Sequence, residues 1–222
     1  MTMPSASPAA PSARATLTRY RWVICGLLFA ATTVNYVDRN SLGVLKTILE
    51  KELNWSEADY GWIQFAFTAA YAAFPTILGR VIDRFGVKVS LAAALIMWSS
   101  MSVVLGLVHT VIGFATVRFL LGVAEAANFP ASIKAIAMWF PQRERALATG
   151  LFNSGTNLGV MISFGTVWLA ESFGWQWAFV TIGALGFVWL IFWKWGFDRP
   201  ERSPHVSPQE LDYIRSGQGQ AA

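Results

Sequence analysis

The chain has 222 residues, of which 55% are hydrophobic and only 14% charged, against about 25% charged in an ordinary soluble domain. With eleven Trp and sixteen Phe it carries more apolar surface than one compact core of this size hides from water, which argues against a water-soluble enzyme and for an all-α integral membrane protein. The formal net charge of +4 comes without any basic run interleaved with aromatics, so nucleic acid is not a partner, and one cysteine (Cys25) with two histidines (His109, His205) implies no disulfide, metal or cofactor.

The first 18 residues, rich in Pro, Ala and Ser and without periodicity, read as a disordered cytoplasmic tail. A secretory signal is the rival reading, disfavoured because the pre-region is long and the apolar stretch runs on past Asp38 to Leu45. Residues 19–197 read as a bundle of six transmembrane helices, placed near 22–45, 60–79, 88–108, 111–138, 146–170 and 175–196. Breakers fall between them, at Asn54 to Glu57, Gly79 to Gly86, Pro141 to Arg145 and Phe173-Gly174. Residues 198–222 are polar and read as a cytoplasmic linker or tail that holds at most one short surface helix.

Twelve of the 17 cations sit in the N-terminal tail, the second and fourth connections and the C-terminal tail. Cytoplasmic connections are the cation-rich ones, so both termini are expected on the inside of a bounding, plasma or inner membrane. Trp22, Trp62, Trp139, Trp175 and Trp195 lie near span ends and read as interfacial anchors.

Four ionisable groups fall inside apolar spans, Asp38, Arg39, Arg118 and Glu125, and each costs at least ~2.5 kcal/mol at the bilayer centre unless it is paired or lines a wet cavity. Arg118 and Glu125 are seven residues apart, two turns along one helix face. Counted from the span ends, Asp38, Arg39 and Arg118 lie about 10 Å below the outer ends of their spans, and Glu125 is deeper, where a desolvated carboxyl can hold or release a proton near neutral pH. The plain alternative is that Asp38 and Arg118 form a buried ion pair that only fixes helix register. Lys134, near the inner end of the fourth span, is expected to snorkel to the interface.

Polar and small residues recur beside these charges. Asn35 and Tyr36 precede Asp38, and Gln64 and Tyr71 lie seven apart on the second span. Gly155-x-x-x-Gly159 on the fifth span reads as a helix-contact motif, with Thr156 and Asn157 on a neighbouring face that either lines a cavity or does not.

The segment Gly79-Arg80-Val81-Ile82-Asp83-Arg84-Phe85-Gly86-Val87-Lys88 matches the signature loop G-x-x-x-D-R-x-G-x-[RK] between spans two and three of the major facilitator superfamily. On this loop, and on residues 35–42, 118–130 and 139–146, the chain resembles the anion:cation symporter branch, and within it the hexuronate and sugar-acid transporters, from Arg19 to Gln218. The resemblance implies proton-coupled symport of a small organic anion by alternating access. It makes Arg39, helped by Tyr71, Thr156 and Asn157, the candidate for the substrate carboxylate, and Asp38 and Glu125, with Arg118 between them, the proton-coupling groups. The loop residues Gly79, Asp83, Arg84, Gly86 and Lys88 form a cytoplasmic gate, in which the two glycines fit a tight turn and Asp83 is expected to pair with Arg145.

A major facilitator has two six-span halves, so the chain reads as an amino-terminal half, a fragment or a half that works with a partner; its other partners are the lipid bilayer and a C-terminal six-helix half. A Pro that relatives often carry near Ser163 to Thr166 is missing, which leaves the bend of the fifth span open. An intramembrane serine protease would need a Ser-His pair at membrane depth, and an aquaporin-like channel an Asn-Pro-Ala pair; neither is present. A drug or organic-solute antiporter of the same superfamily and a non-transporting accessory fragment remain as alternatives.

Overall fold

Backbone polar groups held in an apolar medium must be satisfied within their own element, and a chain this apolar meets that condition with helices. The computed structural model describes residues 18–217, which form α1 (Tyr20–Val44), α2 (Lys46–Leu53), α3 (Glu57–Ala73), α4 (Pro75–Phe85), α5 (Val87–Leu105), α6 (Val111–Glu125), α7 (Asn128–Trp139), α8 (Gln142–Ser163), α9 (Gly165–Phe173), α10 (Trp175–Gly196), a 3-10 turn at Pro200–Arg202, and α11 (Pro208–Ser216). The expected tail lies outside the described residues apart from Thr18.

The breaks have local causes. Asn54 ends α2 in the left-handed conformation at φ 52°, and Ser56 opens α3 with a capping box, its hydroxyl accepting from Asp59 N while Asp59 accepts from Ser56 N. Pro75 starts α4 after a 50° bend from α3. Helix α4 runs on to Phe85, so the expected turn from Gly79 to Gly86 contracts to Gly86 alone at φ +83°. Gly79 lies inside the helix and belongs to no turn. The fifth helical rod is interrupted at Phe164 without a proline, and α6 and α7 follow one another across Ala126 and Ala127.

Among the described residues three helical runs are long and apolar enough to cross a membrane, Val87–Leu105, Val111–Trp139 and Trp175–Gly196, and the bent pair α3–α4 adds a fourth if it is taken as one span. Helices α1 and α8 fall short of that apolarity because they carry the polar residues: Asn35, Asp38, Arg39 and Asn40 on one, Asn153, Thr156 and Asn157 on the other.

Helix α1 packs on α8, α5 on α10 and α3 on α6. Of these, α1 and α8 meet through the Gly155/Gly159 pair, where an added Cβ would stand 2.6 Å from the carbonyl oxygens of Phe29 and Thr33 respectively. The apolar core includes Trp139 at 0% and Trp175 at 2% exposure, so these two are core residues and not interfacial anchors, whereas Trp62 and Trp195 are exposed. Burial suits Trp139 because its Nε1 donates to the Asp198 carbonyl at 3.2 Å.

Overpacking the α1–α8 contact with Gly159→Leu is expected to destabilise the bundle by about 2 kcal/mol or more. Gly150→Ala, where nothing lies within 4 Å, is the matched control and should be neutral. Thermal unfolding in detergent reads both, and equal melting would show that the two backbones do not approach this closely.

Candidate functional site

Helices α1, α3 and α6 bring the intramembrane charges together. Arg39, one turn from Asn35 on α1, donates from Nε and Nη2 to a single oxygen of Glu125, Oε2, at 3.2 and 3.1 Å. Its Nη2 also donates to Asn35 Oδ1 at 3.3 Å. Three rings surround the guanidinium, Tyr71 at 4.0 Å, Tyr36 at 4.7 Å and Phe67 at 5.5 Å from the ring centroids. The Glu125 side chain is fully buried, while the Arg39 side chain keeps 18% exposure, so the pair is reachable from the arginine side only.

Arg118 is fully buried behind this pair. Its Nη2 reaches the Arg39 carbonyl and Gln64 Oε1, both at 3.4 Å, and its guanidinium lies 4.5 Å from the Phe67 ring centroid. Asp38 is 1% exposed and lies among Ser102, Glu125 and the two arginines, yet neither of its oxygens makes a hydrogen bond. The direct ion pair of the membrane interior is therefore Arg39–Glu125 and not the alternative Asp38–Arg118. The reason is reach: the Arg39 side chain leaves α1 toward the N-terminus of that helix, beside Asn35 and Tyr36, and Glu125 stands where it can close on it.

Thr156 is half-buried and Asn157 exposed on α8, next to the glycines that contact α1. Phe67 is part of the arginine's aromatic enclosure that sequence reading missed. Its signal was available, since Phe67 lies three residues after Gln64 and four before Tyr71 on one helix face.

At the end of the bundle where α4, α7 and α8 meet, the expected Asp83–Arg145 pair does not form. Asp83 pairs instead with Lys134 at 2.5 Å, and Arg145 donates to the carbonyls of Phe140 and Ala137 at 3.0 and 2.9 Å, closing the end of α7. Lys134 therefore has a defined partner and does not simply snorkel; α4, extended to Phe85, carries Asp83 to the side of α7. Lys88 pairs with Asp198 at 3.1 Å, and Arg84, exposed at the end of α4, lies over the Phe85 ring. The Arg199 N–H, opposed by partial burial and assisted by Lys88, holds the Asp198 carboxyl below the usual aspartate range.

A second charged cluster was not legible in the sequence. Helix α11 docks Glu210, fully buried, against the start of α1, where it accepts from Thr18 Oγ1, Tyr20 N, Arg21 N and Arg21 Nη1 at 2.6 to 3.2 Å. It thereby satisfies free amides at a helix N-terminus from 190 residues away, and the segment after α10 is not a loose linker. Arg21 also pairs with Glu144 at 2.9 Å. Burial works against the charge of Glu144, but Arg21 and then Tyr213 hold its carboxyl below the usual range.

A helical bundle with a buried arginine-carboxylate pair and this signature loop at one end is the design of a membrane transporter. Residues 28–217 match the Major Facilitator Superfamily, and the chain belongs to that family. Its members are transporters and not enzymes, and this chain is an integral membrane protein. It is 36% identical over 199 residues to the hexuronate transporter of Escherichia coli K12, covering 89% of this chain and 46% of that protein. It is 35% identical to the galacturonate transporter of Dickeya chrysanthemi, covering 89% and 58%. The chain spans about half the length of the curated relatives it matches. Among solved structures, an inward-facing bacterial homologue of the human lysosomal transporter Spinster superposes with a TM-score of 0.76 at 23% identity, over 85% of this chain and 45% of that one. The inward-open xylose transporter XylE of E. coli gives 0.64 at 17% identity, over 91% and 53%. These two likenesses concern the fold alone.

Glu210→Ala strands part of a buried ion pair and uncaps α1, and should cost about 3 kcal/mol, the lower end for such a loss because Arg21 keeps Glu144. A melting temperature equal to that of the parent would show that α11 does not hold α1 in this way.

Proposed function

We propose that the chain is the amino-terminal, six-span half of a secondary transporter that carries a sugar-acid anion together with protons, with α1 and the α8–α9 rod crossing the membrane beside the four apolar spans. Both termini are then cytoplasmic, and the second half of the site comes from a C-terminal six-helix half. The sugar-acid class is supported by the relatives, which are hexuronate and galacturonate transporters.

The observation that carries the coupling is the double donation of Arg39 to Glu125 Oε2, with the arginine's other side open. A guanidinium in a low-dielectric site must keep an anionic partner. While Glu125 is ionised it holds Arg39 and competes with the substrate. A proton on Glu125 releases the fork to the substrate carboxylate, so anion and proton load together and the net charge of the site is the same loaded or empty. That equality lets both forms reorient across the membrane without stranding a charge. Asp38 is the second proton-carrying group, placed against Arg118. Tyr71, Thr156 and Asn157 contribute polar contacts to the substrate. The Asp83–Lys134 pair, with Arg84, Gly86 and Lys88, forms the inner gate, and Arg145 supports it by closing the end of α7.

The test is hexuronate uptake into vesicles that hold the protein carrying this chain. Glu125→Gln and Asp38→Asn should each abolish accumulation driven by a proton gradient while leaving substrate exchange measurable. Undiminished accumulation in both variants would refute the coupling. Arg39→Ala should weaken substrate binding by at least ~30-fold, the loss of one partner from a buried charge pair; unchanged binding would move the carboxylate elsewhere. Asp83→Asn should raise labelling of cysteines introduced along the inner ends of α4 and α7, and an unaltered labelling rate would end the gating role.

A further inference from the structure

Inward of the Arg39–Glu125 pair, two stripes of polar side chains face each other between α1 and the α6–α7 rod. On α1 they are Asn35 and Thr32, one and two turns below Arg39; on the other rod, Asn128 and Ser132, one and two turns below Glu125. All four are buried, at 1%, 2%, 5% and 0% exposure. Asn128 Nδ2 donates to Thr32 Oγ1 at 3.3 Å, which ties the two stripes together. Four atoms along this seam close no hydrogen bond of good geometry: Asn128 Oδ1 and Ser132 Oγ, and above them Glu125 Oε1 and Asn35 Nδ2, which lie near enough to interact with each other.

Buried polar atoms are nearly always satisfied, and four in one seam ask for an occupant that hydrogen-bonds to all of them. The set mixes a donor (Asn35 Nδ2), acceptors (Glu125 Oε1, Asn128 Oδ1) and a hydroxyl that does both. A metal cation would want oxygens only, whereas water can meet each of them. The seam lies within this half of the molecule and is shut off from solvent by it, so it does not depend on the missing half. Beyond Ser132 it stops: Ala135 and Ile136 on α7 and Leu28 and Ile24 on α1 are all buried and apolar.

We infer that Asn35, Thr32, Asn128 and Ser132 form a water-filled proton ladder that carries the proton of Glu125 toward the inner side, closed below Ser132 by an apolar plug. This rests on the proton-coupled reading of Glu125. In the release step the Glu125 O–H bond breaks, the proton passes to a water held by Asn35 and Asn128 and on past Ser132, and the carboxylate left behind regains both donations from Arg39. The charged groups facing Glu125 are Arg39 and Asp38 on α1 and Arg118 on its own rod, with Tyr71 of α3 lying over Arg39. The ladder itself carries no charge, so a proton leaving along it is not held back by a second carboxylate.

Ser132→Ala removes one oxygen without adding volume. In vesicles carrying the complete protein it should slow hexuronate uptake driven by an acid exterior about tenfold, while exchange of labelled for unlabelled hexuronate at equal pH, which needs no net proton release, stays at the parent rate. Ala135→Ser extends the ladder by one turn into the plug and should raise the substrate-free proton leak, read by an entrapped pH dye. Driven uptake undiminished in Ser132→Ala, or exchange falling with it, overturns the ladder, as does a parent-level leak in Ala135→Ser. Glu125→Gln in the same assay separates the two claims. If it loses driven uptake and Ser132→Ala does not, the ladder alone is wrong; if it keeps driven uptake, coupling at Glu125 is wrong and the ladder falls with it.

Discussion

A guanidinium and a carboxylate closed on each other inside an apolar bundle set the terms for the rest of this protein. Neither Arg39 nor Glu125 is tolerable alone at that depth, and the geometry that joins them decides which helices stand side by side. Helices α1 and α6 must approach closely enough for the arginine to reach across. Helix α3 supplies the rings that enclose the guanidinium, and Arg118 fills the space behind it while Gln64 and a backbone carbonyl take up one of its donors. The small residues at the α1–α8 contact serve the same end from the other side of α1, because a helix held against glycines by its backbone cannot rotate its charges toward lipid.

The end of the bundle that carries the signature loop is organised by a different economy of charge. There the pairs Asp83–Lys134 and Lys88–Asp198 are each between one-third and three-quarters exposed, which makes each of them weak. Glu210 is the exception, fully buried and used as a cap for α1 by a helix far away in the sequence. That end of the bundle therefore combines one firm clasp, α11 on α1 and α8, with lighter ties around the signature loop. The proposed gate would use the second kind, and the first would keep the scaffold from fraying when it moved.

The polar seam below Glu125 extends the same reasoning inward. The proposed proton exchange at Glu125 would need somewhere to send protons, and a bundle that buries Asn35, Thr32, Asn128 and Ser132 along one contact has set aside polar volume where leucines would have packed more stably.

Much of this was legible in the sequence because the underlying constraints are local or additive. Apolar length identifies helices, the sixth to the residue at 175–196, and the cost of intramembrane charge singles out Asp38, Arg39, Arg118 and Glu125 before any geometry is known. A ten-residue loop signature identifies the family. Pairing was not legible, because a charge reports its own cost and not its partner: Glu125 takes Arg39 while Asp38 is left without a hydrogen bond, and Asp83 takes Lys134 while Arg145 turns to backbone carbonyls. Nor could composition tell a tryptophan near a span end that anchors at the interface from one, like Trp139 or Trp175, that fills the core. Those choices depend on which helix faces lie opposite each other, a relation between residues about 50 to 90 positions apart, and only the packed tertiary structure decides it.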